Sequence, residues 1–556
     1  MRFWLAGMLL AVVPQYGGQN AQATNPDSTV AILNHKVCGG DTIAAQAPQL
    51  LQGYGSGGFT IATANPAAQA FFDNGMQLGA AFAHTASIAA FQEASRLDPQ
   101  CAMCIWGEAW ASGPTINYGI ERADAEKLAA MLVRAEKLAA GGPAKERDLI
   151  AALKLRYQTS GKPGSANLAF ARAMNALAAA APTDDALATL AADAWLITGF
   201  DQKDWHPDVN RSIGMLQTVL ARDPDYTPAI HFYIHATEAA GVPERATPFA
   251  DRLARLAPNA SHLVHMPSHT YYRIGRYQDA ADANVRAVAL GIQNAKRLGM
   301  PLPDGVWDLP YHAHNVHFGV GGALMSGDAK SALALSTPLV TIAAKRDRGD
   351  VFQQMVAGMG YFAEGRFAEP AAVLALPEPK LPYMKAFWRY ARGEAQARLG
   401  NASAVRTEAS LIPWTIREEA KDSDRAAGIK LARIARLVLT GRAAMLENRP
   451  AEALKAFRKA AAYQEDKRLE DFSDPPLWWY PVRRSIAEAR LASGDAAGAL
   501  ADSNAALAMR PLDPVTLSVR ARAQAALGNS VAARDDRRTA FRTWRGSASA
   551  FSPALI

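Results

Sequence analysis

The feature that most limits what this chain can fold into is a phrase that keeps returning, a Gly with an Ala five residues later. Gly241 with Ala246, Gly275 with Ala280, Gly327 with Ala332, Gly494 with Ala499 and Gly528 with Ala533 are clear copies, and Gly365 with Phe367 and Gly400 with Ala402 are weaker ones. Around them the apolar residues keep a helical period from about residue 66 to residue 545, and strand-like alternation is hard to find. The physical reading is two amphipathic helices that meet at a Gly able to turn tightly, with a small Ala that lets them pack closely. A hairpin of that kind cannot bury its apolar face alone, so copies must stack. Pro residues close helices near 222–224, 256–258 and 510–514.

The pattern resembles tetratricopeptide repeats (TPR). The stretch FFDNGMQLGAAFAHTASIAAFQEASRLDP, residues 71–99, fits the same spacing with Phe91, Ala94 and Pro99. The resemblance implies an all-α solenoid of stacked helix-turn-helix repeats, with the first helix of each hairpin lining a concave groove. It implies little about activity, because one fold serves many functions. The expected organisation is a signal peptide at 1–23, an extended lead-in at 24–65 and N-terminal repeats at 66–225. His-rich repeats follow at 226–345 with a Pro-rich insertion at 290–313, then C-terminal repeats at 346–545 and a tail at 546–556.

One Arg, an apolar run of about ten residues and Ala21-Gln22-Ala23 read as an export signal cleaved near Thr24. That run is too short for a comfortable membrane span, no later run is long enough, and the expected location is periplasmic. The net charge of +7 is spread among interleaved acidic and basic residues. A nucleic-acid stripe is therefore not expected. Cys38, Cys101 and Cys104 permit one disulfide in an oxidising compartment, within the Cys101–Cys104 pair or from Cys38 to either.

Five of the eleven histidines fall in 231–275, and their spacing is that of the repeat. His231 and His235 lie ten and six residues before Gly241, and His265 and His269 lie ten and six before Gly275. Thus 265 − 231 = 269 − 235 = 34. His317 lies ten before Gly327, while His262 and His314 each lie thirteen before their Gly. Slots at i, i+3 and i+7 share one helix face, so seven imidazoles are expected on the same face of three successive first helices. The same slots elsewhere hold Met355 and Met359, Tyr390 and Glu394, Arg484 and Glu488, and Ser518 and Arg522, so the fold itself does not demand His. Met266 and Pro267 interrupt the middle helix.

Paired imidazoles one helical turn apart suit two-point chelation. The expected ligands are His231, His235, His262, His265, His269, His314 and His317, with His312 contributing from the loop. Glu238, one turn beyond His235, is the candidate base or carboxylate ligand. The zincin arrangement is absent, since Phe232 follows His231 where the Glu would stand. Three imidazoles per ion without a thiolate resemble, in ligand pattern alone, the dinuclear copper sites of tyrosinases. The His312-Ala313-His314 step is similar to the paired histidines of multicopper oxidases. Copper is favoured over zinc on that ground, and the expected function is that of a periplasmic metalloprotein holding two or three ions, with oxidoreduction as a candidate reaction and enzyme activity left open. A zinc hydrolase using Glu238 is the chemical variant. A non-catalytic scaffold for peptides or proteins, or a metal store, is the reading from another class. The groove is expected to take a small-molecule or peptide ligand.

Met103, Trp106 and Trp110 form a stripe readable as a substrate wall or as core. Tyr233, Tyr271, Tyr272 and Arg273 flank the His slots. Asn117 and Tyr118 lie in an irregular loop, and Asp304, Trp307 and Asp308 lie in the insertion, a candidate lid. His35, His84 and His206 match no slot and read as structural.

Overall fold

The computed structural model describes residues 49–159, 164–201, 206–413, 423–466, 469, 475–547 and 551–556. The expected signal peptide, His35, Cys38 and the first part of the expected lead-in lie outside them. The described residues form α-helices with a few 3₁₀ turns and no β-strand, and none of their helices is long and apolar enough to cross a membrane. They divide into two compact units, one running to Pro267 and the other from Ser268 to Ile556.

The N-terminal unit contains α1 (Pro66–Ala80), α2 (His84–Leu97), α3 (Ala102–Ala111), α4 (Arg122–Leu138), α5 (Ala144–Arg156) and α6 (Ser165–Ala180). These are followed by α7 (Asp185–Asp201), α8 (His206–Arg222), α9 (Thr227–Ala239), α10 (Thr247–Leu256) and the short α11 (Ser261–His265). Each helix packs on the next, and several also pack on the next but one, as stacked hairpins must. The architecture is the TPR-like helical repeat expected from the sequence.

The two helices of a hairpin differ in burial. All of α9 is buried, whereas the amphipathic α10 buries only Ala250 and Leu253. The near-continuous apolar run of the first and the striped pattern of the second dictate this division.

The lead-in is not helical between residues 49 and 65; it is laid across the unit and tied at several points. Leu51 exchanges hydrogen bonds with Asn74 of α1, Gly53 O accepts from Asn259 N at 2.9 Å, and Ser56 N donates to Thr227 Oγ1 at 2.8 Å. Gly55 has φ 97°, and a Cβ there would meet Thr227 Oγ1 at 2.2 Å. The strap therefore joins the first helix of the unit to the ninth, which also touch directly.

Cys101 and Cys104 are disulfide-bonded, resolving the open pairing, and Cys101 Sγ caps α3 by accepting from Cys104 N at 3.1 Å. Met103 and Trp106 are buried in the core, with Trp106 Nε1 donating to Leu149 O, and Trp110 packs against the same core. This stripe is core packing.

The C-terminal unit contains α12 (Pro267–Arg273, of which Pro267 falls in the first unit), α13 (Tyr277–Arg297), α14 (His312–Ser326), α15 (Ala329–Lys345), α16 (Val351–Phe367) and α17 (Pro370–Leu374). It continues with α18 (Pro382–Arg398), α19 (Ala402–Leu411), α20 (Ser423–Leu446), α21 (Pro450–Gln464), α22 (Arg483–Ala492), α23 (Ala496–Met509), α24 (Pro514–Ala526) and α25 (Ser530–Thr543). The turn glycines behave as read. Gly241, Gly275, Gly327, Gly400, Gly494 and Gly528 all have φ between 72° and 85°. Ala246, Ala280, Ala332, Ala499 and Ala533 are all buried. Gly365 departs from the pattern, since it sits inside α16, where a Cβ would approach Ala391 Cα at 2.8 Å. It is a contact glycine between two helices and not a turn.

Candidate metal centre

Buried imidazole is costly unless its nitrogens find partners. His231, His235, His262, His265, His269, His312 and His317 are all buried, while His314 is half-buried. The firmest geometry is in the N-terminal unit. One nitrogen from each of His231, His235 and His262 lies within 4.8 Å of the others. The His262 ring of α11 lies 4.9 Å from the His231 ring of α9, and the spacing His231–His235 sets two rings on one face of α9.

His231 is oriented from its far side. Ala80 ends α1, so its carbonyl has no partner within that helix. His231 Nδ1 lies 2.7 Å from Ala80 O and donates to it. That fixes the tautomer and leaves Nε2 as the lone-pair nitrogen, 3.1 Å from His262 Nε2. An outer hydrogen bond of this kind is the usual way a ligating imidazole is aimed. Nitrogens around a tetrahedral ion with bonds of about 2.0–2.1 Å stand roughly 3.3 Å apart. The His231–His262 pair already matches that separation, and His235 needs only a small side-chain adjustment. The residues present therefore fit an ion with three imidazole ligands.

Phe82 stands among these rings. It has φ 55° just past the end of α1. Its ring lies 4.5 Å edge-on from His231, stacks at 4.9 Å on His262 and at 5.2 Å on His84, and is 6.4 Å from His235. His84 is buried, and its pKa is pushed down to about 4 by desolvation, partly offset by the Ala111 carbonyl. Tyr118 meets His84 edge-on at 5.8 Å. Neither Phe82 nor a neighbouring role for His84 was foreseen. No local spacing signals them, because the contact from His231 to Ala80 spans 151 residues.

The remaining expected ligands lie outside this triad. His265 ends α11, its ring 5.6 Å from His262. The helix breaks at Met266, as Pro267 implied. His269 and His314 belong to the C-terminal unit, with rings 5.6 Å apart and both against Phe318. His312 meets Trp307 of the insertion edge-on at 4.9 Å. Among the described residues, neither His312 nor His317 has a ring contact or hydrogen bond to another imidazole. Burial pushes the pKa of His312 down to about 4 and that of His317 to about 3, which keeps both rings neutral.

Glu238 is buried on α9, one turn past His235. The flanking tyrosines are engaged structurally: Tyr233 Oη accepts from Gln217, Arg276 lies over the Tyr271 ring and Tyr272 Oη donates to Trp479 O. Asn117 N donates to Thr115 Oγ1 within its loop, and Asp304 pairs with Lys345.

No family model matches the chain, and no curated protein matches it. Among solved structures it is similar to the APC/C hetero-tetramer Cut9–Hcn1, at 10% identity over 89% of this chain and 79% of that one, with a TM-score of 0.28. It is also similar to the human IFIT1 dimer with m7Gppp-AAAA, at 12% identity over 79% and 90%, with a TM-score of 0.31. A third is Naa15/Naa10 bound to HypK-THB, at 13% identity over 86% and 70%, with a TM-score of 0.20. At such scores these likenesses carry nothing about ligand or partner. The chain is an all-α protein of TPR-like hairpins on the evidence of its own helices and turns, and a group of buried histidines within reach of a common ion is built into its N-terminal unit.

Proposed function

We propose that this chain is an exported, periplasmic metalloprotein that binds a transition metal through His231, His235 and His262. The observation that carries the reading is the convergence of three buried imidazole nitrogens within 4.8 Å, one of them fixed by a helix-end carbonyl. Imidazole donors without a thiolate suit copper or zinc, and copper is the favoured ion only by the likeness of the ligand pattern to known copper sites and by the proposed exported location. His265 extends this set. His269 and His314 are the proposed ligands of a second ion in the C-terminal unit, and His312 and His317, on the same helix as His314 but touching no other imidazole, are further candidate ligands. Such an ion would supply Lewis acidity or electron transfer toward a bound small molecule. Glu238 is the proposed proton acceptor one turn from His235. An oxidoreductase is the reaction class this chemistry favours, with the zinc hydrolase as its variant.

The test is elemental analysis by mass spectrometry of protein exported from copper- and zinc-supplemented cells. At least one ion per chain is expected, with copper in excess, and His235→Ala should lose it. Protein that carries no stoichiometric metal and still binds peptides in the presence of a chelator would instead be a scaffold. Retained metal without oxygen consumption across a phenol and thiol panel would make it a store.

A further inference from the structure

Helix α25, wholly within the C-terminal unit, is held by a narrow stripe. Its buried residues are Ala533, Asp536 and Ala540; the helix packs on α24, where Arg520 pairs with Asp536. Opposite this stripe it carries Val531, Arg534, Arg538, Phe541 and Arg542. At about 100° per residue these five fall within an arc of about 100°. All five are exposed, Val531 at 66% and Phe541 at 59%. Apolar side chains scattered singly over a surface are ordinary; here two share one helix face with three arginines. Phe541 has an aromatic neighbour, Phe551, at 5.8 Å.

The positive charge of this face has little use inside the fold. Arg538 pairs with Asp535, but the two side chains are 76% and 58% exposed, so the pair holds little. Among the described residues, Arg534 and Arg542 have no acidic partner. The arginines of the neighbouring α24 behave differently. Arg520 is paired with Asp536 and Arg522 with Glu488. The outer face of α25 is therefore basic and apolar together, with its charges left unbalanced.

We propose that this face binds the surface of a bilayer that contains anionic lipid. Guanidinium groups donate paired hydrogen bonds to lipid phosphates, and their apolar stems lie along the acyl boundary. Phe541 and Val531 leave water for the same boundary, which is how an interfacial helix gains binding beyond charge. The excess of arginine selects negative over zwitterionic headgroups. Size favours lipid over a protein partner. A helix of 14 residues is about 21 Å long, and a face about 10 Å wide gives roughly 200 Å². Each side of a stable protein interface buries about 800 Å². None of the histidines takes part, so this surface and the metal centre stand or fall separately.

Vesicle flotation of the protein purified after export tests this, with phosphatidylcholine vesicles that contain or lack phosphatidylglycerol. Binding to the phosphatidylglycerol vesicles is expected to be about tenfold or more stronger, and to fall steeply as salt is raised. Arg534→Gln combined with Arg542→Gln should weaken it about tenfold. Phe541→Ser should weaken it about fivefold and leave capture on heparin unchanged, because heparin offers charge without an apolar layer. All three side chains are exposed, so the variants should keep the helicity of the parent. No binding to the phosphatidylglycerol vesicles, or equal binding to both kinds, overturns the proposal. Flotation that survives loss of the two arginines places the contact elsewhere and overturns it as well. Flotation that Phe541→Ser leaves unchanged makes α25 a plain polyanion patch, open to an acidic protein or a nucleic acid, and overturns the bilayer assignment.

Discussion

Phe82 holds left-handed backbone, which costs a non-glycine residue on the order of 1–2 kcal/mol. That strain persists because the ring it aims fills the space between His231, His262 and His84. The balance gives a paired prediction. Phe82→Ala should destabilise the N-terminal unit by roughly 3–5 kcal/mol, as for other buried Phe truncations. Phe82→Gly should cost about 1 kcal/mol less, because Gly relieves the backbone while losing the same ring. Urea denaturation of the two variants checks the order, and Gly below Ala would mean the backbone term is not what the ring works against. At this scale the sequence was informative where partners share a helix or a repeat. The slots of His231, His235 and His262 could be counted from Gly241 and Gly275. The Ala80 carbonyl and the Phe82 ring could not, since they arrive from another hairpin through tertiary packing.

The hairpin turn is where the sequence spoke most plainly, and the glycines of the phrase separate two physical demands. Gly241 and Gly275 both have positive φ, at 72° and 85°. A Cβ on Gly241 would meet nothing within 4 Å, whereas one on Gly275 would lie 2.4 Å from the Pro511 carbonyl. Gly241→Ala should therefore cost about 1 kcal/mol, the left-handed backbone penalty alone. Gly275→Ala should cost clearly more, because backbone must also move aside. Thermal melts of the two single variants give the comparison, and equal losses would show that the close approach at Gly275 relaxes freely. Gly365 shows the limit of the reading. The Gly-to-aromatic phrase is local, and the close Ala391 backbone that makes a small residue necessary is supplied by a neighbouring helix.

The two compact units give the metal reading a consequence that a single cooperative block would hide. His231, His235 and His262 all lie before Ser268, so an ion they hold stabilises the unit that contains them. A ligand bound to the folded state adds about 2.7 kcal/mol at a hundredfold excess over its Kd. Exchange protection in α9 and α11 should then rise on adding copper to chelator-treated protein. In α24 and α25, which carry no histidine, it should stay unchanged. His235→Ala should abolish the rise in α9 and α11 while leaving the protection of α24 and α25 as it was. Hydrogen exchange with peptide-level mass spectrometry reads both regions in one sample. A rise shared by all four helices would point to non-specific binding at scattered side chains, and its persistence in the His235→Ala protein would remove these imidazoles as the ligands.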